Sequence, residues 1–511
     1  MTGERKTAAL DEAVLDARLM ALEGARSWSP RVVSRLEARI RTADDFDLFR
    51  INPVAYATSQ GLAEGEAIDL FLHATKAGLF DMEWNVVCAG CGNTNTSFRR
   101  LESVDPHTTC DLCQFESTAA LDDFIQVTFT ISPAVRRIAY HDPASLSAED
   151  LYFRYHFCRD VRPGSDGTTM AQKFASITRT LAYLEPGETA TAALQLSGSM
   201  VGIRDALHSA SAMYGIVPPE SAPRDLNLAV RDGRLADLDQ SLQPLEVGAA
   251  NGRWMFPATG RVAAGSVTAT VENTMSERAS VWIIEYPARA TPEPIEFYPI
   301  LSAKRLLSTQ TFRTLFRSET VAASEGLEIR DLTFLFTDLQ DSTAMYDRIG
   351  DGTAYNLVRQ HFDALEVTVR DQAGAIVKTI GDAVMATFVR PADGVRAALA
   401  MFDRLEAFNR STSANLVLKV GLHRGHAIAV TSNEQVDYFG QTVNIAARVQ
   451  GLAGPGEVCL SEDVLRDPDV QRALAGRDVE RAPGLMKGVA AEIPVYRVTV
   501  RAPAGDAIVA R

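Results

Sequence analysis

Two tight cysteine pairs form the clearest chemical signal in this sequence. Cys88 and Cys91 are separated by two residues, as are Cys110 and Cys113, and eighteen residues lie between the pairs. The spacing is typical of a four-cysteine zinc ribbon, in which each pair sits on a tight turn and its two thiolates converge. Because protein would fill all four tetrahedral positions, we expect one structural zinc per chain. A redox site, an iron site and a nucleic-acid contact are the alternatives.

Two aspartates form the second signal. Asp338 follows an apolar run at residues 332–336, and Asp382 follows Gly381 in a turn between two further apolar runs. Two Mg²⁺ ions that bridge a triphosphate need anionic oxygen ligands on rigid elements, and strand ends provide such positions. Turn propensity alone explains a single aspartate in a turn. The prediction of a two-metal site therefore depends on both aspartates and on the sheet topology that would bring them together.

The elements around these aspartates predict a βαββαβ order, as in a ferredoxin-like or polymerase-palm sheet. The periodicity predicts a strand at 332–336, a helix that ends at Gly374, a hairpin of 375–380 and 383–388, a helix around 395–402, and strands at 416–422 and 426–431. Asp341 or Ser342 is expected to cap the helix that follows Asp338.

Three segments of the C-terminal part carry a further signal: Phe336-Thr337-Asp338, Lys378-Thr379-Ile380-Gly381-Asp382, and Asp437-Tyr438-Phe439-Gly440-Gln441-Thr442-Val443-Asn444-Ile445-Ala446-Ala447-Arg448. Together they resemble the class III adenylate and guanylate cyclase catalytic domain. The resemblance covers about 170 residues, near 327 to near 498, with the motifs in the family's order. It implies that Asp338 and Asp382 hold two Mg²⁺ (or Mn²⁺) ions per active site.

The same resemblance implies how the nucleotide is held. Asn444 would orient the ribose, Arg448 would stabilise charge on the α-phosphoryl oxygens, and Lys487 would bind the triphosphate. Lys378 and Asp437 match the positions that recognise the base: an ammonium donates to N1 of adenine, and a carboxylate accepts from its 6-amino group. ATP is therefore the expected substrate, with 3′,5′-cyclic AMP and pyrophosphate as products.

In this family each active site lies between two catalytic domains, and this chain carries both halves of the residue set. The resemblance therefore implies a homodimer with two shared sites. One departure is Asp341, where the family commonly has glycine near the triphosphate. The alternative functions are a cyclase with another product, cyclic GMP or a cyclic pyrimidine nucleotide, and a zinc-ribbon regulatory or binding protein with a degenerate cyclase domain.

The whole chain is expected to be an α+β multidomain protein. The predicted parts are a helical N-terminal region (1–84), a four-cysteine zinc ribbon (85–120), a β-rich, sandwich-like regulatory domain (121–306), a helical linker (307–326) and a cyclase domain (327–500). The upstream part is similar to the N-terminal region of some bacterial cyclases of this class. Within the β-rich part, a helical interruption is expected around 199–214.

Composition limits the partners. The net charge of −14 over 511 residues makes nucleic acid an unlikely partner, because such binding depends on Lys and Arg neutralising phosphates. No apolar run approaches the roughly 18 residues that span a bilayer, so no membrane contact is expected. Two close cysteine pairs indicate a metal site in a reducing compartment, and we expect a cytoplasmic protein.

Overall fold

The computed structural model describes residues 10–105, 107–110, 112–113, 116–118, 124–238, 260–287, 295–321, 326–412, 414–482 and 493–500. Its internal contacts divide the chain into two compact units. The first spans Met1–Arg99, Asp105–Ala119 and Phe124–Leu301, and the second spans Arg100–Val104, Ala120–Asp123 and Ser302–Arg511. The finer division into five parts stays a prediction. No helix in the described ranges is long and apolar enough to cross a membrane.

The first unit begins with helices and continues into a small sheet. Its elements are α1 Glu12–Ala25, α2 Val32–Thr42, α3 Pro53–Gln60, α4 Glu64–Lys76, β1 Phe80–Val87, β2 Thr94–Phe98, β3 His107–Thr109, β4 Glu116–Thr118 and β5 Ile125–Ile131. β1 lies between β2 and β5, antiparallel to both, and β3 pairs with β4. The sequence predicts a helical region up to residue 84. The structure instead starts β1 at Phe80, because Phe80, Met82 and Trp84 alternate inward with period two.

The rest of the first unit is a β-sandwich. Helix α5 Met170–Ile177 precedes β6 Thr178–Leu184, β7 Thr189–Leu196, β8 Met200–Asp205, β9 Ala210–Val217, β10 Asp225–Arg231, β11 Arg234–Asp237, β12 Gly260–Ala263, β13 Gly265–Asn273 and β14 Ala279–Tyr286. Two sheets, β11-β10-β13-β7 and β12-β9-β8-β14-β6, share one apolar core that includes Leu194, Ile203 and Ile283. The described residues thus form paired sheets here, and the bounds 121–306 and the regulatory role stay predictions.

The helical interruption expected around 199–214 is wrong. β8 and β9 occupy this stretch as an antiparallel pair. Ala206, Ala210, Ala212 and Met213 favour a helix by intrinsic propensity, but sheet pairing and burial in the sandwich override that preference.

The second unit contains one large sheet and the helices on its faces. Its elements are α6 Ala303–Leu307, α7 Gln310–Leu315, β15 Leu327–Leu339, α8 Ser342–Ile349, α9 Asp351–Asp371, β16 Gly374–Ile380, β17 Ala383–Phe388, α10 Pro391–Thr412, β18 Leu418–Ser432, β19 Gln435–Phe439, α11 Gln441–Gly451, β20 Glu457–Ser461, α12 Glu462–Leu465, α13 Pro468–Ala473, β21 Val479–Ala482 and β22 Val495–Thr499. The sheet order is β16-β17-β15-β18-β20-β22-β21, and β19 pairs with β18. The first four strands have the expected ferredoxin-like order.

Two glycines of β18 allow helix α11 to pack closely against the sheet. The sequence predicts two strands, 416–422 and 426–431, but the structure has one continuous strand. A Cβ on Gly425 would lie 2.8 Å from the Thr442 hydroxyl oxygen, and a Cβ on Gly421 would lie 2.1 Å from the Gln450 nitrogen. Both glycines therefore allow α11 to approach closely, and neither interrupts the strand.

Other boundaries also differ in this unit. Helix α9 ends at Asp371, and Gly374, the predicted helix end, is the first residue of β16. A Cβ on Gly374 would lie 2.3 Å from the Phe388 ring, so cross-strand packing requires this glycine. The helical linker predicted for 307–326 contains, among its described residues, α7 and the last residue of α6.

Candidate functional site

The two candidate metal-binding aspartates lie at neighbouring strand ends. Asp338 is the penultimate residue of β15, and Asp382 lies in the turn between β16 and β17. Gly381, before it, has φ +63°, a conformation that glycine adopts without a Cβ clash and that makes the turn tight. β15 and β17 pair antiparallel through Phe336 and Met385, and the Val384 N–H donates to the Thr337 hydroxyl at 3.1 Å. This register brings both aspartates to the same end of the paired strands β15 and β17.

The surroundings of these carboxylates suit a cation. The Asp382 Oδ2 atom is buried and has no hydrogen-bond partner among the described residues. Asp338 Oδ2 lies 3.5 Å from the Lys419 ammonium, and the two side chains are 36% and 26% exposed. A buried carboxylate oxygen without a partner raises the free energy of the folded protein, and a bound cation would remove this cost.

Lys378 and Asp437, the candidate base-recognition residues, form an ion pair. Their Nζ and Oδ2 atoms are 2.6 Å apart, and the side chains are 39% and 10% exposed. Asp437 also accepts from the Tyr438 N–H at 2.8 Å. The Asp437 carboxylate is thus held by a backbone N–H and by the Lys378 ammonium. The pair places a hydrogen-bond donor, Lys378, beside an acceptor, Asp437.

Helix α11 presents Asn444 and Arg448 on one exposed face. Thr442, Ile445, Ala446 and Val449 form the opposite, buried face, and the spacing of four residues places the two polar side chains one turn apart. A cavity of about 270 Å³ opens beside them. Its lining residues are Phe336, Lys378, Ile380, Met385, Tyr438, Phe439, Gly440, Val443, Asn444 and Ala447.

The structure therefore assembles two groups in the second unit. One contains Lys378, Asp437 and Asn444 at or beside the cavity, and the other contains Asp338 and Asp382. Neither aspartate is among the described residues that line the cavity. Lys487, the third predicted nucleotide-binding position, lies outside the described residues.

Asp341 does not cap α8 as expected. It occupies the N-cap position with φ +53°, and its side chain accepts no hydrogen bond from the helix. Gln340 donates to its carboxylate at 3.1 Å. A left-handed conformation favours glycine, so Asp341 stands where a glycine would be unstrained.

The four cysteines converge in the first unit. The sulfur atoms of Cys88, Cys91, Cys110 and Cys113 all lie within 4.8 Å of one another, and the four residues are 0–4% exposed. The Cys88–Cys113 and Cys91–Cys110 sulfur distances are 3.4 and 3.6 Å. Sulfurs around tetrahedral zinc are separated by about 3.8 Å for bonds of about 2.3 Å, so the cluster fits this ion.

Neighbouring groups hold the cysteine turns in place. The Gly90 N–H donates to the Cys88 sulfur at 3.3 Å. Gly92 has φ +70°, and a Cβ there would lie 2.8 Å from Val161. Sequence reasoning missed Tyr286, whose hydroxyl donates to the Leu112 carbonyl at 2.9 Å. Tyr286 is distant in sequence, so no local pattern identifies it.

Sequence reasoning also missed Lys419 beside the aspartates. β15 and β18 pair with Asp338 opposite Lys419. Once the pairing of β15 with β18 is known, a lysine opposite Asp338 indicates that this residue belongs to the site.

Two family models match parts of the chain. Residues 326–481 match the adenylate and guanylate cyclase catalytic domain. Residues 15–246 match a family of unknown function, DUF5939.

Two adenylate cyclases and one solved cyclase structure are similar to parts of this chain. Adenylate cyclase 2 of Rhizobium meliloti is 28% identical over 235 residues, which cover 43% of this chain and 62% of that protein. An adenylate cyclase of Anabaena cylindrica is 25% identical over 205 residues, 35% of this chain and 40% of that protein. The chain thus spans less than two thirds of either relative. The crystal structure of the adenylyl cyclase CyaB from P. aeruginosa matches with 17% identity and a TM-score of 0.31, and covers 34% of this chain and 95% of that one.

Proposed function

Because residues 326–481 belong to the adenylate and guanylate cyclase catalytic domain family, we propose that the protein converts ATP to 3′,5′-cyclic AMP and pyrophosphate. One observation carries the proposal: a single domain presents a carboxylate pair at one strand edge and a Lys–Asp pair beside a cavity. These are the two residue sets that the reaction needs, one for the triphosphate and one for the base.

The carboxylate pair fits two divalent cations. Asp338 and Asp382 supply anionic oxygens on rigid strand ends, and the unpartnered Asp382 Oδ2 supports a missing positive ligand. When bound there, Mg²⁺ or Mn²⁺ would favour ionisation of the ribose 3′-hydroxyl and neutralise charge on the triphosphate. In the chain alone, Lys419 partly balances the charge of Asp338.

The remaining residues bind and orient the nucleotide. Lys378 donates to the unprotonated N1 of adenine, and Asp437 accepts from the 6-amino group. Guanine presents the opposite pattern at those atoms and leaves both groups unpaired, at about 1–3 kcal/mol each. Asn444 orients the ribose, and Arg448 stabilises charge that develops on the α-phosphoryl oxygens during attack by the 3′-oxygen.

We infer that two copies of the chain complete each site. Asp338 and Asp382 would come from one protomer, and Lys378, Asp437, Asn444 and Arg448 from its partner. Two observations support this arrangement. Asn444 and Arg448 are exposed in the single chain, and the apolar side chains of Ile380 and Phe439, at the cavity, are 51% and 54% exposed. Burial of such side chains favours association.

A product assay tests the function. Purified protein is incubated with Mg²⁺ or Mn²⁺ and each of the four nucleoside triphosphates, and products are identified by mass. The expected result is cyclic AMP from ATP at a rate well above those of the other three nucleotides. A matched control is Asp347→Asn, which changes an exposed aspartate of α8 and should retain activity, whereas Asp338→Asn should abolish it.

Two outcomes would contradict the proposal. A cyclic product mainly from GTP or a pyrimidine nucleotide would overturn the substrate assignment but retain the reaction. No cyclic product from any nucleotide, with protein that is folded and metal-loaded, would leave a binding or regulatory protein with an inactive cyclase domain.

A further inference from the structure

Strand β16 has a bulge directly before Lys378. It pairs with β17 through Ile376 opposite Ala386, and then through Lys378 opposite Met385. Val377 is therefore an extra residue with no partner position on β17. A bulge interrupts the ladder and redirects the side chain that follows it. The direction of Lys378 thus depends on what holds the bulge.

Helix α7 supplies the hydrogen-bond partners at this bulge. The Gln310 side-chain oxygen accepts from the Ile376 N–H at 2.8 Å. Arg313 donates from Nε to the Ile376 carbonyl at 3.1 Å and from Nη2 to the Val377 carbonyl at 3.3 Å. Two side chains therefore occupy the place of a strand partner, so the bulge is held from outside the sheet.

The same guanidinium reaches the residue before Asp437. Arg313 Nη2 donates to the Val436 carbonyl on β19 at 2.6 Å. Since the guanidinium is planar and rigid, it fixes the Val377 and Val436 carbonyls relative to each other. The next residue along each strand is Lys378 or Asp437, and these two side chains are 2.6 Å apart.

We propose that Arg313, assisted by Gln310, is a positioning residue that sets the geometry of the Lys378–Asp437 pair and thereby the preference for adenine over guanine. This inference rests on the proposed function and extends it to residues outside 326–481. Neither side chain needs to touch the nucleotide. Each acts through the backbone of β16 or β19.

The chemistry explains why selectivity would change more than turnover. Adenine is distinguished from guanine by one donor and one acceptor in fixed positions, so a small displacement of either strand disrupts the pairing. The metal-binding aspartates lie on β15 and in the turn after β16, and neither receives a hydrogen bond from Arg313. The loss of Arg313 should therefore weaken base recognition and retain triphosphate chemistry.

The test compares ATP and GTP in the full-length protein. kcat and KM are measured for the wild type, Arg313→Ala, Gln310→Ala and the control Arg317→Ala, which removes an exposed arginine four residues further on. In Arg313→Ala the ratio of kcat/KM for ATP to that for GTP should fall about tenfold, mainly through KM for ATP. Gln310→Ala should give a smaller fall in the same ratio, and Arg317→Ala should keep it. Arg313→Lys should restore part of the preference, because an ammonium can serve one of the carbonyls.

A double-substitution cycle separates positioning from general damage. In a Lys378→Ala background, Arg313→Ala should change the ATP to GTP ratio less than it does in the wild type, since one of the two groups that it positions has gone. An equal loss of kcat/KM with both nucleotides in Arg313→Ala and Gln310→Ala would overturn the proposal. A full additional effect in the Lys378→Ala background would overturn it as well.

Failure of the proposed function gives a different result. If the wild type forms no cyclic product, that function fails, and equilibrium binding of ATP and GTP to the same variants then tests the positioning role. A wild-type preference for ATP that persists in Arg313→Ala would contradict the positioning role alone.

Discussion

The cysteine cluster and the nucleotide site differ in how complete they are within one chain. At the cluster, four buried sulfur atoms converge within 4.8 Å, so the protein alone would fill every ligand position of a tetrahedral ion. At the nucleotide site, Asp338 is one third exposed, Asn444 and Arg448 face outward, and the carboxylates are not among the described residues that line the cavity. A closed site suits a structural ion, whereas an open site suits ligands that enter and leave.

The two sites therefore differ in which ligands and partners they require besides this chain. In our proposal, the cluster would need only a metal ion, because backbone donors and Tyr286 already support its turns. The nucleotide site would need cations, a nucleotide and a second copy. Substitutions should therefore affect the first site through folding and the second mainly through binding and activity.

Removal of the closed site's metal should have the largest effect. Wild-type protein should contain about one zinc per chain, and Cys88→Ser should contain none and unfold at a clearly lower temperature. Structural zinc contributes about 10–16 kcal/mol of apparent binding free energy, comparable to the whole stability of a domain. Elemental analysis and thermal unfolding measure both quantities.

Cys459→Ser is the matched control, since Cys459 is also fully buried but lies outside the cluster. It should keep the zinc content. Wild-type protein with no zinc, or with iron instead, would contradict the structural zinc site.

Acidification should act on the domain that carries the open site. His361, on α9, is 1% exposed, and burial lowers its pKa to about 4, although the charge of Asp382 opposes this shift. Because the neutral form is favoured in the fold, its contribution to stability is complete above about pH 6.5 and is lost as pH falls toward 4. The loss from this group is roughly 3 kcal/mol.

Denaturant unfolding at several pH values measures this effect. His361→Leu should flatten the dependence between pH 6.5 and pH 4, and His426→Leu, at an exposed histidine, should leave it unchanged. An equally steep loss in His361→Leu would show that His361 is not the responsible group.

Substitution of Asp341 should give the smallest effect, and it sharpens the comparison because we expect this carboxylate to oppose nucleotide binding at its own site. Its left-handed backbone costs about 1 kcal/mol, and Asp341 lies three residues after Asp338 in the sequence. Asp341→Gly should raise the free energy of unfolding and lower KM for the nucleotide. Asp341→Asn should lower KM with little change in stability. If neither variant lowers KM, the carboxylate does not oppose nucleotide binding.

The sequence predicted features that depend on local chemistry. Gly381 and Asp382 between two apolar runs predicted the hairpin, and the cysteine spacing predicted the convergence of four sulfurs. Glycines were harder to interpret. In the sequence, Gly425 lies between two predicted strands and suggests a break. In the structure, the strand continues through it, and a glycine is needed there because Thr442 approaches closely. The roles of Arg313 and Tyr286 depend on contacts between distant segments, which periodicity and spacing do not reveal.

Complementation between two inactive variants tests the central claim most directly, namely that the open site is completed by a second copy. Asp338→Ala and Asn444→Ala proteins, each inactive alone, are mixed and assayed for cyclic AMP. Random exchange of protomers should restore roughly a quarter of wild-type activity, because half of the dimers are mixed and each has one intact site. An active wild type whose two variants remain inactive after exchange would contradict the shared site.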